Sequence, residues 1–371
     1  MNSNENTGRL MLPLRILYIF LTFIAFVLLL ALGLCFVLLK GPSGQAKKLF
    51  TLSCNETSAM KWLPGLFLSD EEENMILNPA AEENSQEDGT YHITIVGENM
   101  DISFVSNDEE ELYPLIDIDS AGEAMASAGI TFAENSDVSS DENVPTYELI
   151  DLLEPTFKGK VLLVHDPSKV SVASIPQFGG TGWTLSQFVE NNDALACINA
   201  GGFEDENGKG KGGIPDGVVI RNGEIVYGSA GSSYRGVVGF DANNVLHVGN
   251  MTGAQALNEG IVNGMNFSLG PVLIKDGVRQ TGFNSGINPR SAIGQAEDGT
   301  VILVAIEGRM IDSLGATFEE LADIMERFGA VNAANLDGGS SSGMYYEGER
   351  VTRSCSVIGD RPLPTAIIVS R

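Results

Sequence analysis

Apolar residues fall along this chain in three regimes. From Ile16 to Leu39 they run without a single charge. At 1.5 Å per helical residue that stretch reaches about 36 Å, enough to cross a hydrocarbon layer of about 30 Å. The pattern predicts a transmembrane signal anchor over 16–39, behind a short tail at 1–15. A cleaved signal peptide is the competing account. Against it, the apolar run is long for such a peptide, no small-x-small site follows Leu39, and Leu34 precedes Cys35 where a lipoprotein signal has a small residue. Arg9 and Arg15 before the run and Lys40, Lys47 and Lys48 after it give no firm orientation.

In the second regime, residues 40–156, short apolar pieces such as His92–Val96 separate acidic runs at 69–73, 82–88 and 107–111. Such composition predicts a solvated stalk or linker with limited structure, or alternatively a small accessory domain.

In the third regime, 157–371, short β-branched and apolar runs are bounded by Gly, Asn or Asp. Strands are expected at Lys160–His165, Gly217–Ile220, Glu224–Tyr227, Gly236–Asp241, Val245–Val248, Val272–Lys275 and Val301–Ile306. Asn222-Gly223 marks a hairpin turn. A helix is expected over Phe318–Phe328: Thr317 caps it, Glu320 stands at the capping-box position, Leu321, Ile324, Met325 and Phe328 share one face, and Gly329 stops it. A shorter helix is expected across Trp183–Val189. The fold class is therefore α+β, with mixed β-sheets and a few packed helices, preceded by one N-terminal transmembrane helix.

Candidate chemistry gathers where the runs end. Asn199-Ala200-Gly201-Gly202-Phe203 follows Ala194–Ile198; Pro289-Arg290-Ser291-Ala292-Ile293-Gly294 leads into Val301–Ile306, which ends in Glu307-Gly308-Arg309; and Asn335-Leu336-Asp337-Gly338-Gly339-Ser340-Ser341-Ser342 follows the clear helix. Repeated termination in glycine and polar side chains is how a scaffold delivers groups to one rim. The last run sets one carboxylate before backbone amides and short hydroxyls that can hold anionic oxygens.

These motifs, with Arg361-Pro362 before Ala366–Val369, resemble the phosphodiester glycosidase family in order and spacing over roughly 157–371. The family pattern is approximately NAGFF, PRTAIG, DGR and NLDGGGSST. Here Glu307 replaces the aspartate of DGR, Ser340 the third glycine, and Gly202 a phenylalanine. The resemblance implies an extracytoplasmic hydrolase that cleaves the C–O bond of a sugar 1-phosphodiester, of N-acetylglucosamine type, in a cell-envelope or exopolysaccharide setting. Phosphate leaves readily, so two carboxylates suffice to supply a nucleophile or base and to stabilise an oxocarbenium-like centre. Asp337 and Glu307 are the expected pair. Asn199, Gly201, Phe203, Arg290, Arg309, Gly338, Gly339, Ser340, Ser341 and Arg361 are the expected substrate-binding set, the arginines suiting phosphate.

A formal net charge of −27 argues against nucleic acid as a partner. The expected partners are a glycan or sugar-phosphate substrate and the membrane. Cys197 and Cys355 could form a disulfide or stay as two thiols. Three scattered histidines predict no His-based metal centre, and no cofactor is expected, with oxygen-ligated calcium left open. The alternative function is a non-catalytic envelope protein that binds anionic or amino-sugar polymers.

Overall fold

The computed structural model describes residues 5–79, 145–356 and 359–371. The acidic runs at 82–88 and 107–111 and the piece His92–Val96 lie outside the described residues. Helix α1 spans Glu5–Lys40. Within it Leu14–Lys40 has the length and composition of a membrane span, and equally of a signal sequence.

The chain past α1 folds at once. Ser43 caps α2 (Gly44–Asn55) by accepting from the Ala46 N–H, and Ser69 with Glu72 forms a full capping box on α3 (Asp70–Leu77). These helices pack against the end of α1. The Phe36 and Phe67 rings meet edge to face at 6.5 Å, Leu39 is fully buried, and Lys40 Nζ lies 2.8 Å from the Glu72 carboxylate.

Three sheets build the rest, and all their described ladders are antiparallel. The first has seven strands in the order β1 (Tyr147–Leu153), β2 (Lys158–Val164), β13 (Val301–Ile306), β12 (Arg290–Ala296), β14 (Ala330–Asn335), β10 (Val272–Lys275) and β11 (Val278–Arg279). Its first strand begins before residue 157. The second runs β16 (Glu349–Arg350), β15 (Met344–Tyr346), β4 (Ala194–Asn199), β17 (Thr365–Ser370) and β3 (Val170–Ser174). The third runs β6 (Glu224–Tyr227), β5 (Val219–Arg221), β9 (Ile261–Asn266), β7 (Ser233–Asp241) and β8 (Leu246–Thr252). Asn222 and Gly223 both take positive φ in the β5–β6 turn, as a tight hairpin of that handedness requires.

The main core joins the facing sides of these sheets, with Leu162, Leu303 and Ile293 from the first, Val172, Ile198 and Ile367 from the second, and Val238 and Phe240 from the third. The other side of the first sheet is covered by α6 (Phe318–Arg327), whose Leu321, Ile324 and Met325 pack on Val161, Ile302 and Val304. That is why β13 reads as an unbroken apolar run: it is buried on both faces. Thr317 and Glu320 form the expected capping box on α6. The shorter helix, α4 (Leu185–Asn192), begins after Thr184, because Thr184 caps it and Trp183 pairs with Leu363 in an isolated bridge. Its Leu185 and Phe188 cover the second sheet beside Cys197. A fifth helix, α5 (Gly253–Asn258), follows β8. All four cysteines are free thiols, so the Cys197–Cys355 disulfide is not formed.

Candidate active site

The ends of β4, β12 and β14 meet at one rim, and backbone hydrogen bonds fix the Asp337 loop there. Asp337 N–H donates to Ala200 O at 2.8 Å, Leu336 N–H to Ser291 O at 2.8 Å, and Gly339 N–H to Pro289 O at 2.9 Å. Asn199 is the clamp between the two sheets. Its buried amide donates to the Asp337 carbonyl at 2.6 Å and accepts from Ser291 Oγ at 2.7 Å and Gly343 N–H at 3.1 Å. Gly201 donates its N–H to Thr365 Oγ1 at 2.9 Å, again joining the second sheet. Neither residue lines the pocket; both hold its frame.

The pocket itself encloses about 540 Å³, room for a sugar with its phosphate, and Asp337 stands in its wall with Gly338, Gly339, Ser340 and Ser341. Asp337 is half-buried, and its carboxylate accepts the Gly338 N–H at 2.9 Å. Burial pushes its carboxyl up to about 7; the Ser341 hydroxyl and the Gly338 N–H work against that shift, while the Asp216 charge adds to it.

Asp216 also lines this pocket and, unlike Glu56 and Asp205, has no arginine partner among the described residues; the sequence reading missed it. Its own carboxyl is raised by burial, partly offset by hydrogen bonds from Ser268. The Asn266 amide donates to it at 3.4 Å and the Ser268 N–H at 3.3 Å. Gly202 makes room for it, since a Cβ there would come within 2.5 Å of Asp216 Oδ2. The departure at Gly202 and the carboxylate at 216 thus belong together. The available signal was Gly212-Gly213-Ile214-Pro215-Asp216-Gly217, a further carboxylate among turn residues leading into a strand.

Glu307 lies elsewhere. It follows β13, but its carboxylate turns to Arg353, accepting the backbone N–H at 2.8 Å and the guanidinium at 2.6 Å, and it is not among the pocket's lining residues. It braces the Arg353 segment.

The three expected arginines all line the pocket, in different states. Arg361 is forked onto the Asp205 carboxylate at 2.7 and 2.8 Å, with its guanidinium carbon 5.0 Å from the centre of the Phe203 ring. Arg290 is buried over the Phe318 ring at 4.0 Å and donates to Ala316 O at 2.9 Å, Gly286 O at 2.7 Å and Glu56 Oε2 at 2.7 Å. Burial lowers its affinity for the proton, and Glu56 offsets that. Arg309, with a left-handed backbone at φ 58°, donates to Thr57 Oγ1 at 2.7 Å and Asn288 Oδ1 at 2.8 Å. It has no carboxylate partner among the described residues, so its charge is the most available to an anion. A non-glycine residue held at positive φ beside a pocket is a form of local strain that accompanies function.

Glu56 and Thr57 come from the segment after α2. Residues Asn55–Ala59 and Lys61 line one side of the pocket, so the chain next to α1 supplies part of the site. Among the described residues, no group of three or more His, Cys, Asp or Glu side chains stands close enough to hold a metal ion.

Fold and pocket together define a three-sheet α+β domain that presents a carboxylate pair and three arginines from loops at the strand ends. Residues 192–370, just under half of the chain, match the phosphodiester glycosidase family model. A Bacillus subtilis relative, the SPbeta prophage-derived uncharacterized protein YomE, is 30% identical over 178 residues, which are 45% of this chain and 27% of that protein. The chain thus spans about a quarter of the curated relative it matches. The solved catalytic domain of zebrafish N-acetylglucosamine-1-phosphodiester alpha-N-acetylglucosaminidase, described as auto-inhibited by its pro-peptide, aligns with a TM-score of 0.51 at 21% identity. That alignment covers 63% of this chain and 86% of the zebrafish chain, and it shows a shared fold.

Proposed function

We propose that this protein is a membrane-anchored hydrolase that cleaves the C1–O bond of a sugar 1-phosphodiester, with an N-acetylglucosamine-type sugar and a cell-envelope or exopolysaccharide substrate. α1 is read as the anchor, with the three-sheet domain outside the cytoplasm. The observation that carries the reading is the pairing of Asp337 with Asp216 in a sugar-sized pocket that also holds Arg309, in a domain that matches this family model.

In this mechanism the ionised Asp337 faces C1 or the water that attacks it. The water oxygen joins C1, the C1–O electron pair leaves with the phosphate, and the water's spare proton passes to the carboxylate and then to solvent. Phosphate needs little acid assistance to leave, so an ionised carboxylate and anion stabilisation are the main requirements. Arg309 and the Ser340 hydroxyl, both in the pocket wall, are assigned to the phosphate oxygens. Arg361, already forked onto Asp205, holds Phe203 and the 205–210 loop in place.

The deciding experiment is turnover of an N-acetylglucosamine 1-phosphodiester in oxygen-18 water. Label in the released sugar supports C–O cleavage, whereas label in the phosphate overturns it. Folded, full-length protein that binds such sugars without turning any of them over is the result expected of a non-catalytic binding protein.

Two further outcomes follow from the charges. The kcat/KM profile rises with pH through about 7, where Asp337 ionises. Asp216→Asn removes the neighbouring negative charge that helps hold the Asp337 proton, so the rising limb moves to lower pH. A limb that stays in place would separate Asp216 from Asp337. Arg309→Ala raises KM for the diester about tenfold or more, and Arg309→Lys recovers only part of the loss because an ammonium lacks the planar fork. Steady-state kinetics on both variants checks this.

A further inference from the structure

The pocket wall mixes charged groups with apolar surface, and several segments that line it run on into large exposed apolar side chains. Lys61 lines the pocket, and the next residue, Trp62, is 63% exposed. Leu66, on the same loop, is 60% exposed. Arg309 lines another side, and two residues on Ile311 is fully exposed in the Met310–Ser313 turn. Leu269 lines a third side and is 74% exposed. The Arg309–Thr57 hydrogen bond of 2.7 Å ties the first two segments to each other.

This lip is continuous with the membrane-spanning helix. The loop that carries Trp62 and Leu66 ends at Phe67, whose ring packs on Phe36 inside the apolar span. Only α2, about 18 Å long at 1.5 Å per residue, separates Lys40 from the pocket wall at Asn55. A tryptophan with an exposed ring and its indole N–H bonded to Ala59 O at 3.0 Å suits a membrane–water interface, where one end is apolar and the other wet. An enzyme on a freely soluble glycan needs none of these side chains at its mouth.

We propose that the substrate is a lipid-linked sugar 1-phosphodiester held in the bilayer that α1 spans, with sugar and phosphate in the pocket and the lipid chain leaving over the Trp62–Ile311 lip. The proposal rests on the glycosidase reading above. Hydrolysis breaks the C1–O bond, places the water oxygen on C1 and leaves a lipid phosphate monoester in the membrane. The water's two protons end on the sugar hydroxyl and, through Asp337, in solvent.

The test uses full-length protein in phosphatidylcholine–phosphatidylglycerol vesicles and two diesters of the same sugar 1-phosphate, one with methanol and one with a long-chain polyprenol. The expected kcat/KM is at least about tenfold higher for the polyprenyl diester, and Trp62→Ser with Ile311→Ser collapses that ratio. A second readout is independent of turnover. In a Trp183→Phe background, Trp62 fluorescence is quenched by brominated lipid. An equal ratio for the two diesters, or a Trp62 signal untouched by brominated lipid, overturns the proposal. Turnover of neither diester overturns the substrate assignment together with the hydrolase reading; turnover of the methyl diester alone sinks the lipid assignment and leaves the hydrolase standing.

Discussion

Asp337→Asn lowers kcat on a sugar 1-phosphodiester by about 100-fold or more, and at pH 8 the variant melts higher than the wild type. The first effect is the usual size for removing a positioned proton-transfer group or nucleophile. The second comes from burial of the same carboxyl, which raises it to about 7 against an ordinary value near 4. Folded protein therefore keeps this proton where the unfolded chain has lost it. Stability falls as pH climbs from about 4 to about 7, and the full cost of the buried charge is present above about 7. Asparagine cannot ionise, so its advantage grows over that window and shrinks toward pH 4. With water in the pocket screening part of the charge, the gain at pH 8 is about 1–2 kcal/mol, a few degrees in Tm. Melting curves at pH 5 and pH 8 beside the kinetics check both halves. A variant that is inactive and also less stable at pH 8 would contradict the buried-charge account.

Arg290→Met has the largest expected effect on stability, a loss of about 3–5 kcal/mol. The guanidinium is buried between the Phe318 ring and three acceptors, two of them backbone carbonyls. Removing it leaves Glu56 without its cation and Gly286 O without a donor, while Ala316 O keeps the Asn288 N–H at 3.2 Å. Glu56 also accepts the Gly286 N–H at 2.7 Å and the Asn288 amide at 2.9 Å, so its charge is held in place when its partner goes. Glu56→Gln with Arg290→Met recovers part of the loss, because the unpaired charge is gone while Gly286 O remains unpartnered. Urea unfolding of the single and double variants measures this. If Arg290→Met folded as firmly as wild type and merely bound substrate more weakly, Arg290 would be a phosphate ligand and its contacts incidental.

Much of this architecture is local, and what is local was legible in the chain. The α6 boundaries follow from Thr317, Glu320 and the apolar spacing of Leu321, Ile324 and Met325. β6, β10 and β13 match the expected runs because β-branched residues bounded by turn formers carry their own signal. The motif around Asp337 could be read as part of a site because glycines and short hydroxyls beside one carboxylate are needed wherever backbone approaches an anion.

What only the tertiary structure decided is which groups face each other. Asp216 and Asp337 are far apart in sequence, and their shared pocket exists because β4, β12 and β14 end at one rim. Glu307 follows β13 at a strand end much as Asp337 follows β14, yet it turns to Arg353. The arginines look alike as letters, but burial and partner separate them: Arg290 answers Glu56, Arg361 answers Asp205, and Arg309 is left for an anion. Nor could composition show that residues in the 55–61 segment form a pocket wall close to the N-terminal apolar helix. The sequence by itself determined the elements, the apolar helix and the family motifs, since each depends on neighbours within a few residues. The pairing of carboxylates, the state of each arginine and the apolar lip depend on contacts across hundreds of residues, which only the packed sheets bring together.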